Sequence, residues 1–300
     1  MTQSRSILAD GLVLGTAQFG ADYGIANESG RPSAHEVFKV LEYAWEQGVR
    51  RFDTAPEYGS EALLGNFIKA NGIERELVVL TKVSGLKCGT DYRTQIGQSL
   101  DLSRKRLNTD IDTVFFHDPA DSSVLLEDAE FHRGLLDTSQ INHIGVSVYD
   151  PVEVERLVGC ELELAFQFPL NLVDRRFEDV KMIPGKRYAR SIFLQGLLVA
   201  SGGLRTGANP ELVNFHRRYH GILKDHCVDS VGLALSFVSH SSCQDYLVVG
   251  VNRVEELREI LTTRIEDAAY ASLIESFAPQ PPREVFDPRT WINSRAVESL

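Results

Sequence analysis

A carboxylate and a phenol stand five residues apart in Arg51-Phe52-Asp53-Thr54-Ala55-Pro56-Glu57-Tyr58-Gly59-Ser60-Glu61, and Lys82 and His117 close two later apolar runs. A phenol has a reference pKa of about 10, so it donates a proton near neutrality only where a cation or hydrogen-bond network makes its deprotonated form accessible. Lys82 is the candidate cation, and Asp53 would orient and balance it. The four together suit reduction of a carbonyl: Tyr58 protonates the oxygen while hydride reaches carbon, Lys82 favours the tyrosinate left behind, and His117 donates a hydrogen bond to the same oxygen. Each residue alone has an ordinary structural reading, as an ion pair, a satisfied histidine or a loop tyrosine. Their joint occurrence carries the chemical one. A competing chemistry is a Schiff base between Lys82 and a carbonyl substrate, as in a barrel aldolase.

Convergence of residues so far apart requires a fold that brings strand ends together. Short apolar runs at 12–14, 51–53, 78–81, 114–117, 144–147, 164–167, 191–194 and 246–249 read as strands, and helical patterns such as 33–46, 60–70, 93–107, 125–136, 151–158 and 254–261 lie between them. Several of these open on Ser or Pro, as helix starts favour. Eight strand–helix alternations predict parallel pairing in a closed α/β (β/α)8 TIM barrel, whose C-terminal strand ends all open on one face. The sixth and seventh units are the least regular, with a glycine-rich connection at Ser201-Gly202-Gly203-Leu204-Arg205-Thr206-Gly207. The barrel is expected over residues 1–275. The remainder, 276–300, opens on Ala278-Pro279-Gln280-Pro281-Pro282, which cannot continue a helix, and its Phe286 and Trp291 imply a tail that packs on the barrel.

The 300 residues are 43% hydrophobic with a net charge of −11, which opposes a generic nucleic-acid or anionic-membrane partner. Cys88, Cys160, Cys227 and Cys243 form no paired motif and fit free thiols in a reducing cytoplasm. No signal-peptide core or spanning segment is evident. His216 and His220 have the i, i+4 spacing of zinc helices but lack the adjoining Glu and a third ligand, and His240 with Cys243 completes no ligand set, so no metal is expected.

Phe52-Asp53-Thr54-Ala55 with Tyr58-Gly59-Ser60-Glu61, then Thr81-Lys82, then Phe116-His117-Asp118-Pro119, resembles the aldo-keto reductase superfamily. The resemblance implies a (β/α)8 barrel, NADPH-dependent carbonyl reduction, and a catalytic tetrad at Asp53, Tyr58, Lys82 and His117. It also implies carboxamide contacts from Ser147 and Gln167, although Val148 stands where the family usually has Asn and cannot supply a second contact. Arg190 or Ser191 falls where the family commonly stacks an aromatic on the nicotinamide. The adenosine end would follow the eighth strand, at Gly250, Asn252, Arg253 and Glu256, with Arg253 gripping the 2′-phosphate. Glu256 replaces a frequent Gln or Arg and Ile260 a frequent Asn, which leaves NADH open beside NADPH. No GxGxxG follows a strand, so a Rossmann site is unsupported. Phe19 and Tyr23 could wall the substrate pocket, and residues 14–24 with 190–196 resemble a bacterial subgroup associated with sugar modification. The expected partner is a small carbonyl compound, with a sugar derivative among the candidates. The oligomeric state is not readable. A nicotinamide-binding sensor on the same barrel is the remaining alternative.

Overall fold

The computed structural model describes residues 10–291 apart from 28, 87–90, 139–140, 179–182, 184, 201 and 266. Eight parallel strands close a barrel in sequence order: β1 (Leu12–Gly15), β2 (Arg51–Asp53), β3 (Val78–Val83), β4 (Thr113–Phe116), β5 (His143–Ser147), β6 (Ala165–Pro169), β7 (Arg187–Arg190) and β8 (Tyr246–Gly250). The described helices are α1 (Ala17–Gly20), α2 (Ala34–Glu46), α3 (Glu61–Asn71), α4 (Tyr92–Leu107), α5 (Ser123–Glu127), α6 (Ala129–Thr138), α7 (Pro151–Glu155), α8 (Pro210–Asp225), α9 (Ser230–His240), α10 (Val254–Thr262), α11 (Asp267–Ser276) and α12 (Arg283–Phe286). None is long and apolar enough to cross a membrane.

Side chains alternate across a strand with period 2, and this alone sets the site. Val13, Leu80, Phe115, Ala165, Tyr188 and Val248 form a small buried cluster separate from the large one under the helices. They fill the barrel interior. Two residues further along the same strands, on the same inward face, come Gly15, Lys82, His117, Gln167, Arg190 and Gly250. Registry keeps them level: Gly15 pairs with both Asp53 and Gly250, and Ser147 pairs with Gln167. The intervening residues point outward to the helices, as Phe52 and Val79 do in the large cluster.

The seventh strand differs from the sequence expectation. It runs Arg187–Arg190, and residues 191–194 lie beyond it in a turn. The apolar run there reads as a strand because Ile192 and Leu194 are buried, but Ser191, Leu194 and Gln195 have φ of 60°, 47° and 53°. Three non-glycine residues in the left-handed region within five positions are strained, and such strain gathers at ligand-binding segments. Asn171 Nδ2 donates to Ser191 O at 3.1 Å and ties the turn down. Among the described residues no helix follows β6, whereas α8 and α9 both separate β7 from β8.

Beyond α11 the chain breaks at the prolines and resumes in α12. Val285, Phe286 and Trp291 are buried, and Trp291 Nε1 donates to Val285 O at 3.2 Å. Cys160, Cys227 and Cys243 are free thiols, while Cys88 lies outside the described residues.

Candidate active site

Lys82 is fully buried, and its ammonium has three acceptors: Asp53 Oδ1 and Oδ2, each at 2.8 Å, and Thr54 O at 3.0 Å. Gln167 Nε2 donates to Asp53 Oδ1 at 2.9 Å, so one carboxylate gathers β2, β3 and β6. Lys82 Nζ lies 5.0 Å from the centre of the Tyr58 ring. The Tyr58 and His117 rings meet edge to face with centroids 5.8 Å apart. The four residues that the sequence singled out therefore converge at the C-terminal mouth.

The loop carrying Tyr58 is built by its neighbours in sequence. Pro56–Tyr58 forms one 3-10 turn closed by Gly59 in the left-handed region. Thr16 Oγ1 donates to Asp53 O at 3.1 Å and lies 2.8 Å from Ser60 Oγ, which is 3.1 Å from Thr54 Oγ1. Glu61, also buried, accepts from Thr81 Oγ1 at 2.9 Å and from Arg106 Nη1 at 3.1 Å. Gly20 packs so tightly on this loop that a Cβ there would fall 1.6 Å from Tyr58 O. Thr54, Ser60 and Glu61 thus hold the loop's shape, and Tyr58 does the facing.

Burial first, then the carboxylate of Asp53, hold the Tyr58 phenol well above its ordinary pKa, with the Arg190 guanidinium pulling the other way. The phenol keeps its proton at neutral pH, as an acid requires. Burial also lowers the pKa of Lys82 against the opposing pull of Asp53. Lys82 is balanced by that carboxylate, so Arg190 is a second cation to count at the phenol. Its hydrogen bonds go to neutral acceptors, Val148 O at 3.1 Å and Ser191 Oγ at 3.3 Å, and it lies 4.2 Å from the Tyr149 ring centre. Glu57, beside Tyr58, sits 3.5 Å from His117 Nδ1 and accepts from Ser84 Oγ. Burial would raise its pKa, but the interaction with His117 contributes to holding it below the carboxylate range.

Asp53, Tyr58 and His117 line a cavity of about 240 Å³ together with Tyr23, Ser147, Gln167, Arg190, Ser191 and Gly250. A second cavity of similar size shares Gln18, Tyr23, Gln195 and Gly250 with the first and extends to Asn252, Arg253 and Glu256. The two make one groove from the tetrad to the start of α10. Phe19 does not border it: this residue is fully buried in the core, because α1 turns its ring inward. His216 and His220 lie away from the groove, their Nε2 atoms 2.8 Å from Ala200 O and 3.1 Å from Leu197 O.

Sequence reasoning missed Gln18, Tyr149 and Gln195, which also line the groove. Gln18 packs on Gly250, where a Cβ would fall 2.2 Å from its amide. Tyr149 had one available signal, its place two residues beyond Ser147 at a strand end. Gln195 had none, since its position depends on the strained turn.

Residues 11–267 match the model of the Aldo/keto reductase family. The aldo-keto reductase YhdN of Bacillus subtilis (strain 168) is 31% identical over 189 residues, an alignment taking in 59% of this chain and 56% of that protein. D-threo-aldose 1-dehydrogenase of a Pseudomonas species is 27% identical over 310 residues, 88% of this chain and 92% of that one. The holo form of aldo-keto reductase AKR11C1 from Bacillus halodurans superposes with a TM-score of 0.71 at 18% identity, covering 93% of this chain and 95% of that chain, a likeness of fold. With the family match spanning most of its length, the chain belongs to the aldo/keto reductase family of nicotinamide-dependent oxidoreductases.

Proposed function

We propose that this protein reduces the carbonyl group of a small aldehyde or ketone by direct hydride transfer, with Tyr58 as the general acid. The observation that carries the reading is the placing of one half-buried phenol beside both the Asp53–Lys82 pair and His117, on the wall of a cavity. As hydride reaches carbon, charge builds on the carbonyl oxygen. An alkoxide-like oxygen is more basic than a phenolate, so proton transfer from Tyr58 O–H runs downhill even though its pKa is raised. Lys82 and Arg190 then stabilise the tyrosinate, and His117 fixes the oxygen by a hydrogen bond.

The groove suits a dinucleotide. Ser147 and Gln167 stand at the tetrad end, Gln167 keeping its Oε1 for a carboxamide while its Nε2 holds Asp53. At the far end Asn252 Oδ1 is buried with no hydrogen-bond partner among the described residues, an acceptor suited to an adenine amine or a ribose hydroxyl. A bound dihydronicotinamide supplies the hydride. Gln18, Tyr23, Tyr149 and Gln195 give the cavity a polar wall, which favours a hydroxylated substrate such as an aldose. D-threo-aldose 1-dehydrogenase among the relatives points the same way. The free thiols suit a reducing compartment, and we place the enzyme in the cytoplasm.

A Schiff base on Lys82 fits poorly. All three of its N–H donors have acceptors and it is fully buried, whereas a nucleophilic amine must be neutral and reach the substrate. The test is oxidation of reduced nicotinamide by the purified protein across a panel of aldehydes, ketones and aldoses, with the alcohol product quantified. Stoichiometric alcohol supports the reading. Tight dinucleotide binding with no turnover on any carbonyl would favour a sensor, and a borohydride-trapped adduct on Lys82 would favour the Schiff base.

A further inference from the structure

The far cavity of the groove carries a charge balance that bears on which dinucleotide enters it. Asn252, Arg253, Glu256, Glu259 and Ile260 line it where β8 gives way to α10. Arg253 is the one cation in this set, and it is engaged: its Nε donates to Glu256 Oε1 at 3.1 Å, with 67% of the side chain exposed. Glu256 Oε2 accepts from the backbone N–H of Asn252 at 2.8 Å. A helix start offers free backbone N–H groups that serve well as phosphate donors. Here the amide of Asn252, just ahead of the N-cap Arg253, already holds the protein's own carboxylate, which is set in front of that helix start. Glu259 adds a second acid in the same wall; burial first, then Asp229 and Glu256, hold its pKa above the usual carboxylate range, while Arg253 pulls the other way. Asn252 Oδ1, the orphaned buried atom, is an acceptor and cannot serve a phosphate.

We propose that Glu256 makes this pocket select NADH over NADPH, repelling a 2′-phosphate and accepting hydrogen bonds from the hydroxyls of an unphosphorylated ribose. The inference rests on the reading of the groove as a dinucleotide site and reverses the preference that family resemblance implies. A phosphate monoester carries about −1.5 to −2 charges at pH 7. Next to Glu256 it meets a like charge, competes for a donor in use, and finds the Arg253 guanidinium already paired with that carboxylate. A ribose hydroxyl donates to a carboxylate and loses nothing.

The experiment is equilibrium binding to the intact protein, followed by the fluorescence of bound NADH and NADPH and repeated by calorimetry with NAD⁺, NADP⁺, 5′-AMP and 2′,5′-ADP. The expected result is a dissociation constant at least tenfold lower for each ligand lacking the 2′-phosphate. Glu256→Gln and Glu256→Arg should tighten NADPH at least tenfold and weaken NADH, Glu256→Arg more so because it removes the ribose acceptor altogether, and raised salt should narrow the wild-type gap. NADPH binding as tightly as NADH in the wild type, or a ratio unmoved in Glu256→Gln, overturns the preference and leaves the dinucleotide site standing. Failure of both dinucleotides to bind overturns the preference and the site together. The wild-type comparison needs no variant to fold.

Discussion

The Asp53–Lys82 pair should dominate the energetics of the barrel mouth, and its worth can be worked from the contact itself. At 2.8 Å two unit charges attract by about 6 kcal/mol at an effective dielectric constant of about 20. Both partners are 5% exposed or less, so solvent screens little of this. Desolvation has consumed a similar amount, which makes the intact pair close to neutral for stability. Breaking it is another matter. Asp53→Asn leaves an ammonium in the core with Thr54 O as its remaining strong acceptor, and Lys82→Met leaves a carboxylate with Gln167 Nε2. Each single change should cost about 3–5 kcal/mol, a fall in melting temperature of roughly 5–8 °C for a chain of this size. The double change removes both charges and should cost far less than the sum, with a coupling of at least about 3 kcal/mol. The sign of the pH response follows. Burial already lowers the Lys82 pKa, and Asp53 is the group that opposes this, so in Asp53→Asn the unfolded chain binds a proton that the folded chain resists. Stability of that variant should therefore climb from pH 7 toward pH 10. Denaturation of the four proteins across that range is the assay. Singles costing less than about 1 kcal/mol each, with an additive double, would show the pair to be an ordinary screened contact and refute the reasoning.

Two further outcomes concern the Tyr58 loop and the C-terminal segment. Gly20→Ala places a methyl 1.6 Å from Tyr58 O, so the Tyr58 loop must move; turnover should fall more than about tenfold, since a displacement of about 1 Å in a catalytic group costs about 100-fold. Unchanged kinetics would mean that the loop has slack. Asp287 is buried; burial would raise its pKa, but hydrogen bonds from Arg289 and Arg283 bring it down to about 2. A depressed folded-state value gives stability that is present above about pH 4 and lost as pH falls through about 2. Asp287→Asn should cost about 2 kcal/mol at pH 7, and the gap should shrink to roughly half by pH 3; a gap independent of pH would contradict the link.

Three members of the tetrad, Asp53, Lys82 and His117, were legible because they stand at the ends of apolar runs, where period-2 alternation decides which way they point, while Tyr58 follows in the short turn after β2. Lys82 faces inward because Leu80 does, and His117 because Phe115 does. The seventh strand was not legible for the same reason reversed. Tyr188 and Ala189 are flanked by arginines, while Ile192 and Leu194 look like strand but are buried from a turn. Hydrophobicity records burial, and here burial and strand parted company. Helix α9 is buried at Val231 through Val238 on every side, which erases the 3.6-residue period that would announce it. Gln18, Glu57 and Gln195 enter the site through loop geometry, which no period encodes. Glu256 was visible in the sequence as a departure, but its two hydrogen bonds, which turn a departure into a mechanism, needed coordinates.

The proposed reaction requires one proton to leave the Tyr58 phenol as hydride arrives at the carbonyl carbon. Single-turnover transfer from NADH deuterated at both C4 positions to a carbonyl substrate, in the wild type and in Tyr58→Phe, tests this most directly. The account predicts deuterium on the carbinol carbon of the product, with Tyr58→Phe binding the dinucleotide as the wild type does and transferring deuterium at least about 100-fold more slowly. Tyr58→Phe transferring at the wild-type rate, or product alcohol without deuterium at that carbon, would contradict it.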